Sequence, residues 1–543
     1  MKVQQLTGGQ AVVQALLKSG IQTLYGLPGV QNDWLFNALY DYQKEIKVIH
    51  TRHEQGAAYM ALGHYLATGQ HTVYSVVPGP GFLNSSAALA TMWGLYAKVL
   101  CLVGQIPQKA QGRSIGALHE IPDQMGILRR LTKWAMAVPK AAATPRVMAT
   151  AFQQMHEGIP RPVGVEVAMN VLAQSARIDF SNFSAQPTPK ALTMPIEEAL
   201  ALIEQSKQIM IVVSGGAMHA SEQVRRLAEH LQAPVFAYRT GKGILPSSHE
   251  LSFPLPAAYP LWPHCDLCIA IGSQARMPLL QWGVDDQLKL LSINIDPQAH
   301  HRIKKSEVAI TADTQVALQQ LNEALSSHSP PRPKASLTLQ HLRKAWAKQS
   351  EYLTPQSTYL KVIREELPPD GILVDELTQI GFASRMLWET DYPRTYLSTG
   401  QMGTLGWGFQ AALGAKSACP DKVVLSLTGD GGFLFGLPEL ATAVQHQLGV
   451  IILLFNNNAY GNVRSMQERD YGQRIIASDL HNPDFVKMAL AFGAAAQRVH
   501  SFDQLRQAIR KARDRDLPTL IEVPVDNNWP STNRLKKLKR IRG

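Results

Sequence analysis

Apolar runs of four to six residues alternate with amphipathic stretches along almost the whole chain. That rhythm predicts parallel sheets covered by helices, because strands buried on both faces read as unbroken apolar runs. Gln10 to Lys18 has helical spacing. Thr23-Leu24-Tyr25 reads as a strand ending at Gly26-Leu27-Pro28-Gly29, Val73 to Val77 as one ending at Pro78-Gly79-Pro80-Gly81, and Val99 to Val103 as one ending at Gly104. Further on, Ile209 to Val213 runs into Ser214-Gly215-Gly216, a helix is entered near Ser221, and Leu290 to Ile295 leads to Asp296. This middle stretch has a nucleotide-fold rhythm but no G-x-G-x-x-G, so it does not signal direct dinucleotide binding.

Two proline-rich stretches interrupt the alternation. Ser181 to Pro195 holds Pro187, Pro189 and Pro195, and Ser326 to Lys334 holds Pro330, Pro331 and Pro333. Such stretches mark boundaries. They divide the chain into an N-terminal domain (1–180), a central domain (190–328), a C-terminal domain (335–530) and a tail (531–543). The expected fold class is α/β, with three doubly wound parallel-sheet domains of ordinary size.

Composition narrows this little: 45% hydrophobic and 17% charged residues over 543 positions is ordinary globular usage. No apolar run approaches the ~18 residues needed to span a bilayer. Met1 to Gly9 shows no apolar signal core, so a cytoplasmic protein is expected. The net charge of +11 is uneven, since Arg534, Lys536, Lys537, Lys539, Arg540 and Arg542 crowd the last ten residues without an acid. The simplest reading of such a tail is a solvated terminus; the other is a contact for nucleic acid or a phosphorylated ligand. Cys265 and Cys268 form a Cys-x-x-Cys but lack a second ligand pair, and their strand-like setting reads as two core thiols.

The most informative stretch is Val423 to Val463. A strand, Val423 to Thr428, meets Gly429-Asp430-Gly431-Gly432. A helix follows around Pro438 to Gln447, and then a second strand, Val450 to Phe455, ends at Asn456-Asn457-Asn458. Parallel strands of a βαβ unit bring both loops to one sheet edge. Gly429, Gly431 and Gly432 permit close approach of backbone to a phosphate, and a helix N-terminus nearby favours an anion. Asp430 can supply one hard oxygen, the Asn457 side chain a second and the Ala459 main-chain carbonyl a third. Two or three protein oxygens completed by phosphate and water is how Mg²⁺ is usually held.

Gly-Asp-Gly followed 27 positions later by Asn-Asn, across one βαβ unit, resembles the thiamin diphosphate-binding motif. Distant segments agree in order with the acetohydroxyacid (acetolactate) synthase and pyruvate oxidase group. Thr51 to Ala61 is similar to the segment bearing that group's essential glutamate, and Leu24-Tyr25-Gly26-Leu27-Pro28-Gly29 to its first strand and turn. Pro78-Gly79-Pro80-Gly81-Phe82-Leu83-Asn84 resembles its Ser-Gly-Pro-Gly-x-x-Asn loop, and Gly403-Thr404-Leu405-Gly406-Trp407-Gly408 its glycine run. The resemblance implies thiamin diphosphate and Mg²⁺ as cofactors and a 2-oxo acid as substrate. Decarboxylation of that acid would be followed by protonation or carboligation. Glu54 would be the catalytic carboxylate at the pyrimidine N1′, and Leu405 the side chain wedging the cofactor. Cofactor contacts are implied for Pro28, Gly29, Asn84, Gln401, Met402, Gly403, Leu405, Gly429, Gly431, Gly432, Tyr460 and Gly461. Metal ligation is implied for Asp430, Asn457 and Ala459, and a substrate-facing place for Val30, Gln31, Leu118 and His119. In the group the two halves of the site come from different subunits, which implies a homodimer or homotetramer.

The sequence departs from the group in places. Ala117-Leu118-His119-Glu120 stands where the synthases carry Phe-Gln-Glu. Met466 replaces a Trp after the metal loop, and Gln410 replaces a usual proline. Gln274 occupies the place of the flavin-binding arginine, with Arg276 two positions on; it lacks the charge and the five-donor fork, so FAD is not expected. Two alternatives remain at this point: a thiamin-dependent 2-hydroxyacyl-CoA lyase or oxalyl-CoA-type decarboxylase, with the tail near the CoA nucleotide, and, more distantly, a nucleic-acid-binding protein. The second leaves Glu54 and the metal loop unexplained.

Overall fold

The computed structural model describes residues 3–186, 193–334, 336–536 and 538–543. Pro187 and Pro189 of the first predicted linker, and Lys537 of the tail, lie outside these residues. The alternation of apolar runs and amphipathic stretches becomes three six-stranded parallel sheets, each with helices. Counting strands from one within each unit, the N-terminal and C-terminal sheets share the spatial order 2-1-3-4-6-5, whereas the central sheet has 3-2-1-4-5-6, the dinucleotide-fold order. A short antiparallel pair, Gln4–Thr7 with Ser175–Ile178, flanks the N-terminal sheet. No helix among the described residues is long and apolar enough to cross a membrane.

In the N-terminal unit the topological switch lies between Thr23–Gly26 and Thr72–Val76, and in the C-terminal unit between Ile372–Val374 and Val424–Gly429. Adjacent parallel strands there send their following loops to opposite sides, which leaves a crevice at their C-terminal ends. In the central unit the corresponding loops close on each other: Gly216 N donates to Gly272 O at 3.3 Å, and a Cβ at position 216 would lie 2.8 Å from Gly272 Cα.

One apolar core joins the two outer units. Helix Glu54–Thr68 packs across helix Trp407–Ala418, and both are built from small residues on the contact face. A Cβ at Gly63 would stand 1.9 Å from the Ala411 carbonyl oxygen, and one at Gly414 1.9 Å from that of Met60. The glycines thus let the two backbones touch, and neither helix shows a polar stripe because both are covered.

Three expectations need correcting. The second linker begins later than Ser326, because helix Thr314–His328 carries the chain through that serine. The helix expected around Pro438 is Glu439–Gln445, and a further helix, Asp430–Gly436, precedes it. The tail is not a solvated arm. Leu538 and Ile541 pack on the central core, Ile541 N and Arg542 N both donate to Trp282 O, and Arg542 is buried against Trp262 with Asp285 at 2.8 Å. Its charge pattern reads as solvated, but the apolar residues between the charges anchor it. Of the charges that the CoA and nucleic-acid readings relied on, Arg542 is buried, while Arg534, Lys539 and Arg540 remain exposed. Cys265 and Cys268 are both core thiols, with burial pushing Cys268 up to about 12.

Candidate active site

Strand Val424–Gly429 passes directly into helix Asp430–Gly436, so Gly431 and Gly432 form a first helical turn rather than a loop. At this switch point opens a cavity of about 300 Å³, lined among others by Leu377, Thr378, Gly403, Leu405, Gly429, Asp430, Gly431, Gly432, Asn457, Ala459, Tyr460 and Gly461. Three helices start on its wall: Gln379–Leu387, Asp430–Gly436 and Gly461–Asp470. The second and third have no side-chain cap. Their first-turn N–H groups and dipole ends suit a diphosphate. Gly431 is required for another reason: a Cβ there would meet the Tyr460 ring at 2.6 Å.

The oxygen donors are set by the backbone beside them. Ala459 forms a bridge with Asp479, in which Tyr460 N donates to Ser478 O and Leu480 N to Asn458 O, each at 2.8 Å. In an antiparallel pair of this kind the middle residue's own N–H and C=O face away from the partner. Ala459 N accordingly donates to Asp430 Oδ2 at 3.2 Å, and its carbonyl is left on the Asp430 side. Asp430 Oδ2 also accepts from Asn482 Nδ2 at 2.7 Å, so Oδ1 is the oxygen left for a cation. Burial raises the Asp430 carboxyl, against the pull of Asn482 and of the Gly431 and Ala459 N–H groups. Asn457 Nδ2 donates to Asn527 Oδ1 at 2.7 Å, which leaves its Oδ1 free. Three hard oxygens beside an anion-favouring pocket fit Mg²⁺ with a diphosphate.

Glu376 was not singled out by any motif. Fully buried, it accepts from Gly406 N at 3.1 Å and Gly408 N at 3.2 Å and lies against Gly432. It thereby ties the Gly403–Gly408 turn to the Asp430 helix, and desolvation pushes its carboxyl up to about 8. Gln410, where the group has proline, donates to Gly406 O at 2.8 Å and holds the same turn from the other side. Gly406 has φ +81°, a left-handed conformation natural to glycine.

The N-terminal candidates gather elsewhere. Glu54 opens helix Glu54–Thr68 and accepts from Asn84 Nδ2 at 2.9 Å. The backbone just before it is fixed to the C-terminal unit, where the buried Glu439 carboxylate accepts from Arg52 N and His53 N. Gly79, at φ +58°, lies where a Cβ would meet the His119 carbonyl at 2.5 Å. Gln31 Nε2 donates to Leu118 O and its Oε1 faces His119 Nδ1, each at 2.9 Å. Because the Gln31 amide donates through Nε2, Oε1 is an acceptor, so His119 carries a proton on Nδ1. Glu120 accepts from the N–H groups of Ser114, Gly116 and Ala117 and shapes this loop. Gly29 N donates to Asn32 Oδ1, and Pro28 and Val30 flank that turn.

Within one chain the two groups do not meet. The residues lining the cavity fall between 377 and 529, so Glu54, Pro28, Gly29, Val30, Gln31, Asn84, Leu118 and His119 are outside it. Gln401 and Met402 are also off the cavity wall and pack towards Gly94 of the N-terminal unit. Thr378, Glu376, Asn482 and Asn527 are the positions the motifs missed. Only Asp375-Glu376, two acids ending an apolar strand, offered a signal.

Comparison with known proteins bears on these observations. Residues 6–127 match the family described as thiamine pyrophosphate enzyme, N-terminal TPP binding domain. Residues 196–321 match its central domain and 378–523 its C-terminal TPP binding domain. The chain is 31% identical to a probable acetolactate synthase large subunit of Methanocaldococcus jannaschii, over 96% of this chain and 92% of that protein. It is 30% identical to the acetolactate synthase large subunit of Corynebacterium glutamicum, over 97% and 88%. It is 29% identical to a probable 2-ketoarginine decarboxylase, AruI, of Pseudomonas aeruginosa, over 95% and 94%.

Proposed function

Because the chain belongs to the acetolactate synthase-like group of thiamine pyrophosphate enzymes, we propose that it decarboxylates a 2-oxo acid and passes the product to a proton or a second carbonyl, with Asp430, Asn457 and Ala459 holding Mg²⁺ and Glu54 as catalytic carboxylate. The observation supporting this best is the convergence of three hard oxygens and two uncapped helix starts on one cavity. Thiamin diphosphate, when bound, would supply a nucleophilic C2 carbon and a thiazolium ring that acts as the electron sink. The chain's residues do the rest. Asp430, Asn457 and Ala459 would hold the cation, the helix starts the diphosphate, and Leu405 the bend of the cofactor. Glu54 would exchange a proton at the pyrimidine nitrogen, positioned by Asn84. His119, held by Gln31, would face polar groups of the substrate, and Val30, Gln31 and Leu118 would shape its surroundings. The reading is tested by a screen of 2-oxo acids on thiamin- and Mg²⁺-loaded protein, following CO₂ release and ligated products; no CO₂ from any of them would defeat it.

A dimer accounts for the separation of the two groups. Val30, Leu83, Ile115 and Leu118 of the N-terminal unit are exposed, as are Val463, which lines the cavity, and Met466, Tyr471 and Ile476 after it, apolar surface of the kind an interface covers. If each site is completed by a second copy, mixing inactive Glu54→Gln and Asp430→Ala chains under exchanging conditions should restore activity. Half of randomly mixed dimers would carry one intact site, so roughly a quarter of wild-type activity is expected. No recovery would show that both groups act within one chain.

The central unit is expected to need no flavin. Its switch-point loops meet backbone to backbone, and Gln274 offers no guanidinium while Arg276 is exposed. The purified enzyme should be colourless and active without added FAD. Stoichiometric bound FAD, or activity that depends on it, would overturn this.

A further inference from the structure

We propose that Asn482 and Asn527 are positioning residues that decide which atoms of the metal loop face the cation, one acting as a hydrogen-bond donor and the other as an acceptor. The inference rests on the metal site proposed above. A side-chain amide presents one acceptor oxygen and one donor nitrogen of nearly equal size, so Asn457 can ligate a cation only if something distinguishes its two ends. Asn527 does so. Its Oδ1 lies 2.7 Å from Asn457 Nδ2, and with Asn527 held in that orientation a flipped Asn457 would set two oxygens against each other. Gly461 leaves room for that amide, since a Cβ there would stand 2.4 Å from Asn457 Nδ2.

Asn482 performs the opposite task. Its Nδ2 donates to Asp430 Oδ2 at 2.7 Å, and reaches Asn456 Oδ1 at 3.0 Å and Asn458 Oδ1 at 3.2 Å. It therefore occupies one carboxylate oxygen of Asp430 and ties it to both flanks of Asn457. Its own Oδ1 is buried without a partner, so the donor end alone accounts for its contacts.

The two roles predict opposite responses to the same substitution. Asn527→Asp keeps an acceptor toward Asn457, whereas Asn482→Asp removes both amide hydrogens and sets a carboxylate against Asp430. Mg²⁺ is titrated calorimetrically into the metal-stripped full chain in the presence of thiamin diphosphate. Asn527→Asp should bind as tightly as wild type or more tightly. Asn527→Leu and Asn482→Asp should each bind about 10–100-fold more weakly, the usual cost of losing a partner of a metal ligand. Thermal unfolding without metal checks that each variant folds; if Asn482→Asp does not, the Asn527 pair decides alone. Equal weakening in the two aspartate variants, or equal affinity of Asn527→Leu and wild type, overturns the inference. If Asp430→Ala binds Mg²⁺ like wild type, the metal-site reading itself is what fails.

Discussion

Replacing Asp430 by alanine is expected to weaken Mg²⁺ binding in the presence of thiamin diphosphate by at least about 100-fold and to bring turnover to background, a loss of roughly 2.7 kcal/mol or more. The expectation comes from charge. Asp430 is the one formally charged group among the three proposed ligands, and it sits in a buried position where its own carboxyl is pushed up. Holding a carboxylate there without a counter-charge is costly, and a divalent cation held by Asp430 would offset that cost. Alanine removes the charge and also frees Ala459 N and Asn482 Nδ2, so the metal loop loses its anchor to the helix. Calorimetric titration of Mg²⁺ measures the effect; wild-type affinity in the variant would refute the assignment.

Glu54→Gln should leave the fold intact and slow activation of the bound cofactor by about 10²–10⁴-fold, the usual worth of a general acid–base group. The amide can still accept from Asn84 Nδ2, and helix Glu54–Thr68 is anchored through Glu439 and the glycine crossing rather than through Glu54 itself. What the amide cannot do is exchange a proton with a ring nitrogen. The rate of C2–H to C2–D exchange in bound cofactor, read by NMR after acid quench, isolates this step from substrate binding. An unchanged rate would remove Glu54 from the chemistry.

The strands were legible because burial on both faces leaves unbroken apolar runs, as in Ile209–Val213 and Val450–Asn456. The metal loop was legible because Asp430, Asn457 and Ala459 sit at the ends of adjacent strands, where spacing alone brings them to one edge. The helix starting at Asp430 was hidden by Gly431 and Gly432, which argue against helix on propensity but are tolerated in a first turn that needs close approach. Asn482 and Asn527 were hidden for a different reason. A single amide 52 or 70 positions from its partner leaves no periodic trace, and its role follows only from a hydrogen bond. The tail misled because charge dominates its composition. Leu535, Leu538 and Ile541, three positions apart, were the trace of its packing.

That tail also fixes an order of events in synthesis. The central unit's Trp262 and Trp282 are finished as a surface only when Ile541 and Arg542 lie on them. Those residues leave the ribosome roughly 250 positions later, which at 5–20 residues per second is a delay on the order of tens of seconds. Throughout that interval the nascent central unit lacks the last residues that pack against Trp262 and Trp282.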